Sequence, residues 1–325
     1  MMSYWKNKKV LVTGGAGFIG SYLTELLVGE GARVTVADSL IRGNRERIAA
    51  VIDKIELKPV DLFDFKNCLE VCRGQEVVMN LAAKVTGIEY NRFHMADMFE
   101  SNMKLQMNVL HAAADCGVKR FLQVSTACIY PHDAIVPTPE SEGERNSPEP
   151  TNEGYGFAKL MGEKLARYYT REKGIEVVIA RPFNAYGPRD HFDEATSHVI
   201  PAIMKRILDA EDPVVIWGSG NQSRAFVHAK DFARGLMLVT EKAPAGQPIN
   251  VGHDHEVTIK ELFQIICKVV GKYPKAKFDT TKPDGYPRRG ADTTLLKKYT
   301  DFVPSISLEA GIREMYESFM VQKAV

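Results

Sequence analysis

Short runs of almost unbroken apolar residues recur along the first half of the chain. Six of them predict β-strands: residues 8–14, 33–38, 55–61, 76–83, 120–126 and 175–184. They are too apolar to alternate between a wet and a dry face, as expected of strands covered on both sides in a parallel sheet. Between them the periodicity turns helical, in "FIGSYLTELLVGEG", residues 99–116 and residues 155–173. Strand and helix in alternation predict an α/β fold, a doubly wound parallel sheet of the Rossmann kind. Beyond about residue 184 the pattern loosens. "SHVIPAIMKRILDA" reads as a helix, "PVVIWG" as a strand, and "TIKELFQIICKVVG" as a helix opened by a capping box from Thr258 to Glu261. The expectation is a large lobe over 1–184, with a later contribution near 225–250, and a smaller C-terminal α/β lobe over 185–325. The patternless stretch 137–154, "PTPESEGERNSPEPTNEG", is expected to be a surface loop bordering the active site.

Composition narrows the function classes. The chain has 325 residues, 45% hydrophobic, with a formal net charge of +1. A nucleic-acid binder would show a basic excess, so none is expected as partner. No apolar run approaches the roughly 18 residues a membrane span needs. The start, "MMSYWKNKKVLVTGG", does not read as a signal peptide. Five scattered cysteines give no disulfide framework, and the cytoplasm, a reducing compartment, is the expected location. Cys68 and Cys72, spaced i, i+4, share one helical face and read as buried apolar-like residues. No metal site is expected, and His191, His228, His253 and His255 read as structural.

"VTGGAGFIG" places Gly14, Gly17 and Gly20 between the first strand and the first helix. Glycines permit a tight turn and close approach of backbone to a pyrophosphate, and the helix start at Phe18 and Ile19 offers free N–H groups. Asp38 ends the second strand, where a carboxylate accepts hydrogen bonds from ribose hydroxyls and repels a 2′-phosphate. NAD is therefore expected rather than NADP, with Arg42 and Arg45 as solvated helix-end charges. Further on, "YGFAK" puts Tyr155 and Lys159 on one side of a helix start, downstream of a strand ending in Ser125 and Thr126. A lysine cation beside a tyrosine favours the phenolate.

At this point the chain resembles the extended short-chain dehydrogenase/reductase family, through "TGGAGFIG", "DL" at 61–62, "NLAA" at 80–83, "STACIYP", "YGFAK", "RPFNAYGP" and "GSGNQSRAFVHAKD". The resemblance implies NAD contacts at Asp61, Leu62, Leu81, Ala82 and Ala83 besides those above, and at Tyr155 and Lys159. It implies a catalytic trio of Thr126, Tyr155 and Lys159 acting on a nucleotide-linked sugar, usually by taking a hydride from C4 and returning it. It also implies a homodimer packed through the helices at 99–116 and 155–173. The large lobe would hold NAD and the small one the nucleotide sugar.

Two branches are most similar, the GDP-fucose synthases and the GDP-mannose 3,5-epimerases, through "AAKVTGIEYN", "CIYP", "PTNEGYGFAK", "NAYGPRDHFD", "SHVIPA" and "KPDGYPRRGAD". There the position of Cys128 is a cysteine, and fourteen residues past Asn184 lies a His or Lys, here His198. A ketone at C4 acidifies the hydrogens on C3 and C5, and a thiol and an imidazole suit proton exchange near neutral pH. The resemblance thus makes Cys128 and His198 an acid/base pair. It also gives substrate contacts to Gly87, Asn184, Arg206, Arg224 and Arg288, with Arg289 able to replace Arg288. A GDP-sugar epimerase is the first reading. A simple 4-epimerase, an epimerase/reductase and a non-catalytic NAD-binding protein stay open. "TAC" carries no acidic pair, which disfavours dehydration.

Overall fold

Val10, Leu11 and Val12 of β1 (Lys9–Thr13) are completely buried, as a strand covered on both faces requires. In this computed structural model, which describes residues 3–190, 198–281 and 286–324, β1 lies inside a seven-stranded parallel sheet. Its order is β11-β6-β5-β4-β1-β2-β3. The strands are β2 (Arg33–Asp38), β3 (Ile55–Pro59), β4 (Val77–Asn80), β5 (Arg120–Val124), β6 (Glu176–Pro182) and β11 (Pro248–Val251). The order reverses beside β1, between β2 and β4, and in open parallel sheets ligands bind at the carboxyl ends of strands flanking such a point.

On one face Leu11, Val78, Phe121, Val177 and Ile179 pack with α2 (Phe65–Cys72) and α4 (Met95–Asp115). On the other, Val10, Val12, Met79, Leu122 and Val178 pack with α1 (Phe18–Gly29) and α7 (Ala229–Lys242). The short α3 (Ile88–Phe93) precedes α4, and α5 (Glu153–Glu172) packs beside it. α4 starts four residues before the predicted 99. The stretch 137–154 is less open than its composition implies. It contains 3-10 turns at Glu140–Glu144 and Pro150–Asn152. Arg181 donates to the Glu140 carbonyl at 2.6 Å, and the Asn250 N–H to the Glu140 carboxylate at 2.8 Å.

The smaller lobe holds β8 (Val214–Trp217) beside β13 (Ala276–Asp279), and β9 (Ser223–Ala225) between β12 (Glu256–Thr258) and β14 (Arg288–Arg289). Its core of Ile203, Met204, Ile216, Leu262, Ile266, Ile312 and Met315 draws on α6 (Val199–Leu208), α8 (Ile259–Val270) and α10 (Leu308–Ala324). The capping box of α8 forms, with the Glu261 N–H donating to Thr258 Oγ1 at 3.1 Å. β7 (Ala185–Tyr186) pairs with β10 (Val227–His228) as the chain passes back toward the large sheet. Leu296 of α9 (Thr294–Thr300) and Phe302 join the core of the large lobe. His191 lies outside the described residues.

Candidate active site

The carboxyl ends of β1 and β4 meet the glycine turn. Gly14 has φ +67°, and a Cβ there would lie 3.2 Å from the Ala82 nitrogen. At Gly20 a Cβ would fall 2.1 Å from the Gly14 carbonyl, so the turn rests directly on α1. No side chain caps α1, and its first turn carries no acidic residue. The N–H groups of Phe18, Ile19 and Gly20 are thereby left for an anion. Asp38 is buried and accepts from the Ala16 N–H at 3.0 Å and the Leu40 N–H at 2.9 Å. Each carboxylate oxygen keeps acceptor capacity for a ribose hydroxyl. A dinucleotide fits this cradle. Leu62 puts its side chain into the core, so only its backbone is available to a ligand. Arg42 does more than face solvent: it donates to the Val85 carbonyl, joining the loop after β2 to the loop after β4. Asp38, Asp190, Arg42 and Arg189 all act electrostatically on half-buried Arg47, whose pKa burial lowers.

The 3-10 turn Ala127–Ile129 follows β5, and Thr126 caps it by accepting from the Cys128 N–H at 3.2 Å. The first turn of α5 lies against this segment: a Cβ on Gly156 would meet the Cys128 carbonyl at 2.7 Å. Tyr155 and Thr126 are thereby within hydrogen-bonding reach of one another. Lys159 Nζ donates to the Val124 carbonyl at 3.0 Å and lies 5.8 Å from the Tyr155 ring centre. Burial pushes the Lys159 pKa down to about 8. Burial and the Cys128 charge lift the Tyr155 phenol, more than the Thr126 hydrogen bond lowers it. The phenolate expected from the lysine alone is thus outweighed by desolvation.

Arg289 reaches this cluster. Its Nη2 lies 3.5 Å from Cys128 Sγ. Burial works against its charge, but Cys128, Tyr286 and Glu149 hold its pKa up. Arg288 points the other way, to the Glu256 carboxylate at 2.6 Å. The reason is the strand: β14 pairs with β9, setting Arg289 opposite Arg224, and neighbours in a strand face opposite sides. Of the two arginines, Arg289 is the one that reaches Cys128, while Arg288 pairs with Glu256.

His198 and Cys128 share no hydrogen bond or ion pair. The His198 Nδ1 lies 2.9 Å from an oxygen of the buried Asp190 carboxylate. That hydrogen bond raises its pKa, against burial and the nearby Arg42 charge. Asn184 Nδ2 donates to the Ala225 carbonyl at 2.9 Å, Arg224 to the Tyr286 carbonyl at 2.7 Å, and Arg206 to the Val215 carbonyl. Gly87 is the N-cap of α3. Arg224, Tyr286 and Arg289 thus line one side of the site, while Arg206 is turned to the small lobe. Sequence reasoning missed Asp190, Tyr286 and the chain Asn91–Asn152–Glu149, linked at 2.8 and 2.9 Å. "PTNEGY" and "RDHFD" contain two of these residues, but nothing in a single sequence says what they touch. Among the described residues no group of three or more His, Cys, Asp or Glu is placed to hold a metal, and no helix is long and apolar enough to cross a membrane.

Known proteins are similar to the chain in sequence and in fold. The sequence profile of the NAD dependent epimerase/dehydratase family matches residues 10–252. A putative GDP-L-fucose synthase 2 of Arabidopsis thaliana is 36% identical, over 97% of this chain and 92% of its own. GDP-L-fucose synthase of Escherichia coli (strain K12) is 35% identical, over 96% and 97%. A solved UDP-glucose 4-epimerase with UDP-glucose, from Thermotoga maritima, superposes with a TM-score of 0.85 at 28% identity, covering 97% of this chain and 99% of that one. A profile spanning most of the chain and relatives spanning nearly all of it make the chain a member of the NAD dependent epimerase/dehydratase family, an enzyme of the nucleotide-sugar epimerase/dehydratase type.

Proposed function

We propose that the enzyme is an NAD-dependent epimerase of a GDP-linked hexose, working through a transient ketone at C4. The observation that carries this reading is Cys128, a thiol beside Thr126 and Tyr155 with the Arg289 guanidinium on its sulfur. The glycine turn, the start of α1 and Asp38 would hold NAD, whose nicotinamide supplies the hydride acceptor for C4. Tyr155 is the acid/base at the C4 hydroxyl, which Thr126 orients. Burial by itself keeps Tyr155 a phenol. The positive charge that a bound NAD ring would add to that of Lys159 favours the phenolate that takes the proton and later returns it. With a ketone at C4, the C3 and C5 hydrogens become acidic because the carbanions delocalise as enolates. Cys128 exchanges the proton on one face. His198, held by Asp190, serves the other. Arg289 places positive charge where a thiolate would carry its negative one. Arg224 and Asn184 complete the sugar-phosphate side.

The GDP base is supported by the GDP-L-fucose synthases at 36% and 35% identity. Asp38 supports NAD. Exposed Met107, Met161 and Tyr168 on α4 and α5 suit a homodimer face, and five free cysteines suit the cytoplasm. A second reading, epimerisation followed by net reduction with NADPH, is favoured by the same relatives and by Arg47, on which both Asp38 and Arg42 act electrostatically. One experiment separates them: a panel of GDP- and UDP-hexoses incubated in heavy water. Deuterium at C3 or C5, lost in Cys128→Ala and formed without consumption of added NADPH, upholds the proposal. Inverted C4 without label means a 4-epimerase, and consumption of added NADPH means the reductase.

A further inference from the structure

Behind the site lies a pair of opposite charges shielded from solvent. Arg181 of β6 and Glu163 of α5 are 1% and 0% exposed at their side chains. They form a two-pronged contact, Nε to Oε1 at 2.9 Å and Nη2 to Oε2 at 2.7 Å. Burial opposes the Arg181 charge, but Glu163 and Tyr130 raise its pKa overall. Two charges withdrawn from water are costly, and an apolar pair of equal volume often serves stability as well. Stability alone therefore gives no reason for this pair.

Its remaining partners do. Ser125 Oγ donates to Glu163 Oε1. Arg181 Nη1 donates to the Tyr130 hydroxyl at 3.0 Å and to the Glu140 carbonyl at 2.6 Å. The Tyr130 hydroxyl donates onward to Asn250 Oδ1. Ser125 and Tyr130 bracket the segment that carries Thr126 and Cys128. Glu163 lies one turn past Lys159 on the helix that also carries Tyr155.

We infer that Glu163 and Arg181 are positioning residues, a buried clamp that grips both ends of residues 125–130 and registers Thr126 and Cys128 against Tyr155 and Lys159. Side chains that transfer protons must be held to a fraction of an ångström, and fixed charge with several hydrogen bonds gives that directionality where apolar packing does not. The clamp rests on the proposed chemistry only for the choice of assay.

Two variants test it. Ser125→Ala with Tyr130→Phe removes both grips and leaves the ion pair. Glu163→Leu with Arg181→Met replaces the pair by apolar volume. Both are expected to keep the parent circular dichroism spectrum and to lower kcat, by about tenfold for the first and about a hundredfold for the second, with KM nearly unchanged. Iodoacetamide labelling at the Cys128 peptide, followed by mass spectrometry across pH, is expected to change in rate and profile. A folded Ser125→Ala, Tyr130→Phe variant with kcat within about threefold of the parent and an unchanged labelling profile overturns the inference. If the apolar pair fails to fold, the hydroxyl variant decides alone. If no sugar in the panel turns over, the proposed reaction fails and the labelling profile still decides the clamp.

Discussion

Cys128 and Cys72 are the same side chain in opposite surroundings. Cys72 is fully buried among Leu11, Val71 and Val109, together with Cys68, and burial raises both thiols, that of Cys68 to about 12. Cys128 is half-buried at a strand end, with a guanidinium on its sulfur. Chemistry in a thiol is conferred by what surrounds it: a sulfur sealed in an apolar core meets no reactant, and one at a strand end beside a guanidinium is open to one. A cysteine count cannot distinguish the two.

The contrast can be broken most sharply by truncation. Cys128→Ala should lower solvent-deuterium exchange by roughly a thousandfold, the scale of a lost general base, and Cys72→Ala should leave it unchanged. Equal effects in an exchange assay would end the distinction. Next in size, Arg289→Met should slow turnover and Cys128 labelling by about ten- to a hundredfold, whereas Arg288→Met, which loses only an exposed pair with Glu256, should change labelling by less than about twofold.

Across pH 7 to 9, iodoacetamide should mark Cys128 in the native protein while the Cys68 and Cys72 peptides stay unmodified until denaturant is added. The sign follows from burial. Folded-state values raised above the ordinary thiol mean that the stability these groups lend is complete below pH about 9 and is lost for Cys68 as pH climbs toward about 12. A thermal midpoint that rises over that window would contradict it. The smallest effect is on stability: Cys72→Ala should cost about 1–2 kcal/mol in urea unfolding, the loss of one small buried group from a packed core.

Much of this was legible in the chain. β2 runs over Arg33–Asp38, the predicted range, because its five buried positions Val34–Asp38 leave no other pattern possible. The glycine turn was legible because Gly14 and Gly20 answer to steric limits within a few residues. What escaped depends on distant partners. Pro248–Val251 is fully buried but short and opened by proline, so it carries no strand signal of its own; it forms because β6 offers it an edge. Arg288 and Arg289 are adjacent, and only pairing with β9 sends them to opposite sides. The stretch 137–154 looks like solvent-loving linker, yet Arg181 and Asn250, far along the chain, tie it down.

That late strand has a consequence for how the protein is made. β6 ends at Pro182, but its outer neighbour arrives only with Pro248–Val251, after α6, β8 and β9 of the small lobe have been synthesised. Throughout that interval a nascent chain on the ribosome displays the bare, hydrophobic rim of β6, the kind of edge that recruits stray strands. Truncations between the two points should therefore precipitate during expression, and the full-length protein should lean on chaperones until the sheet is closed.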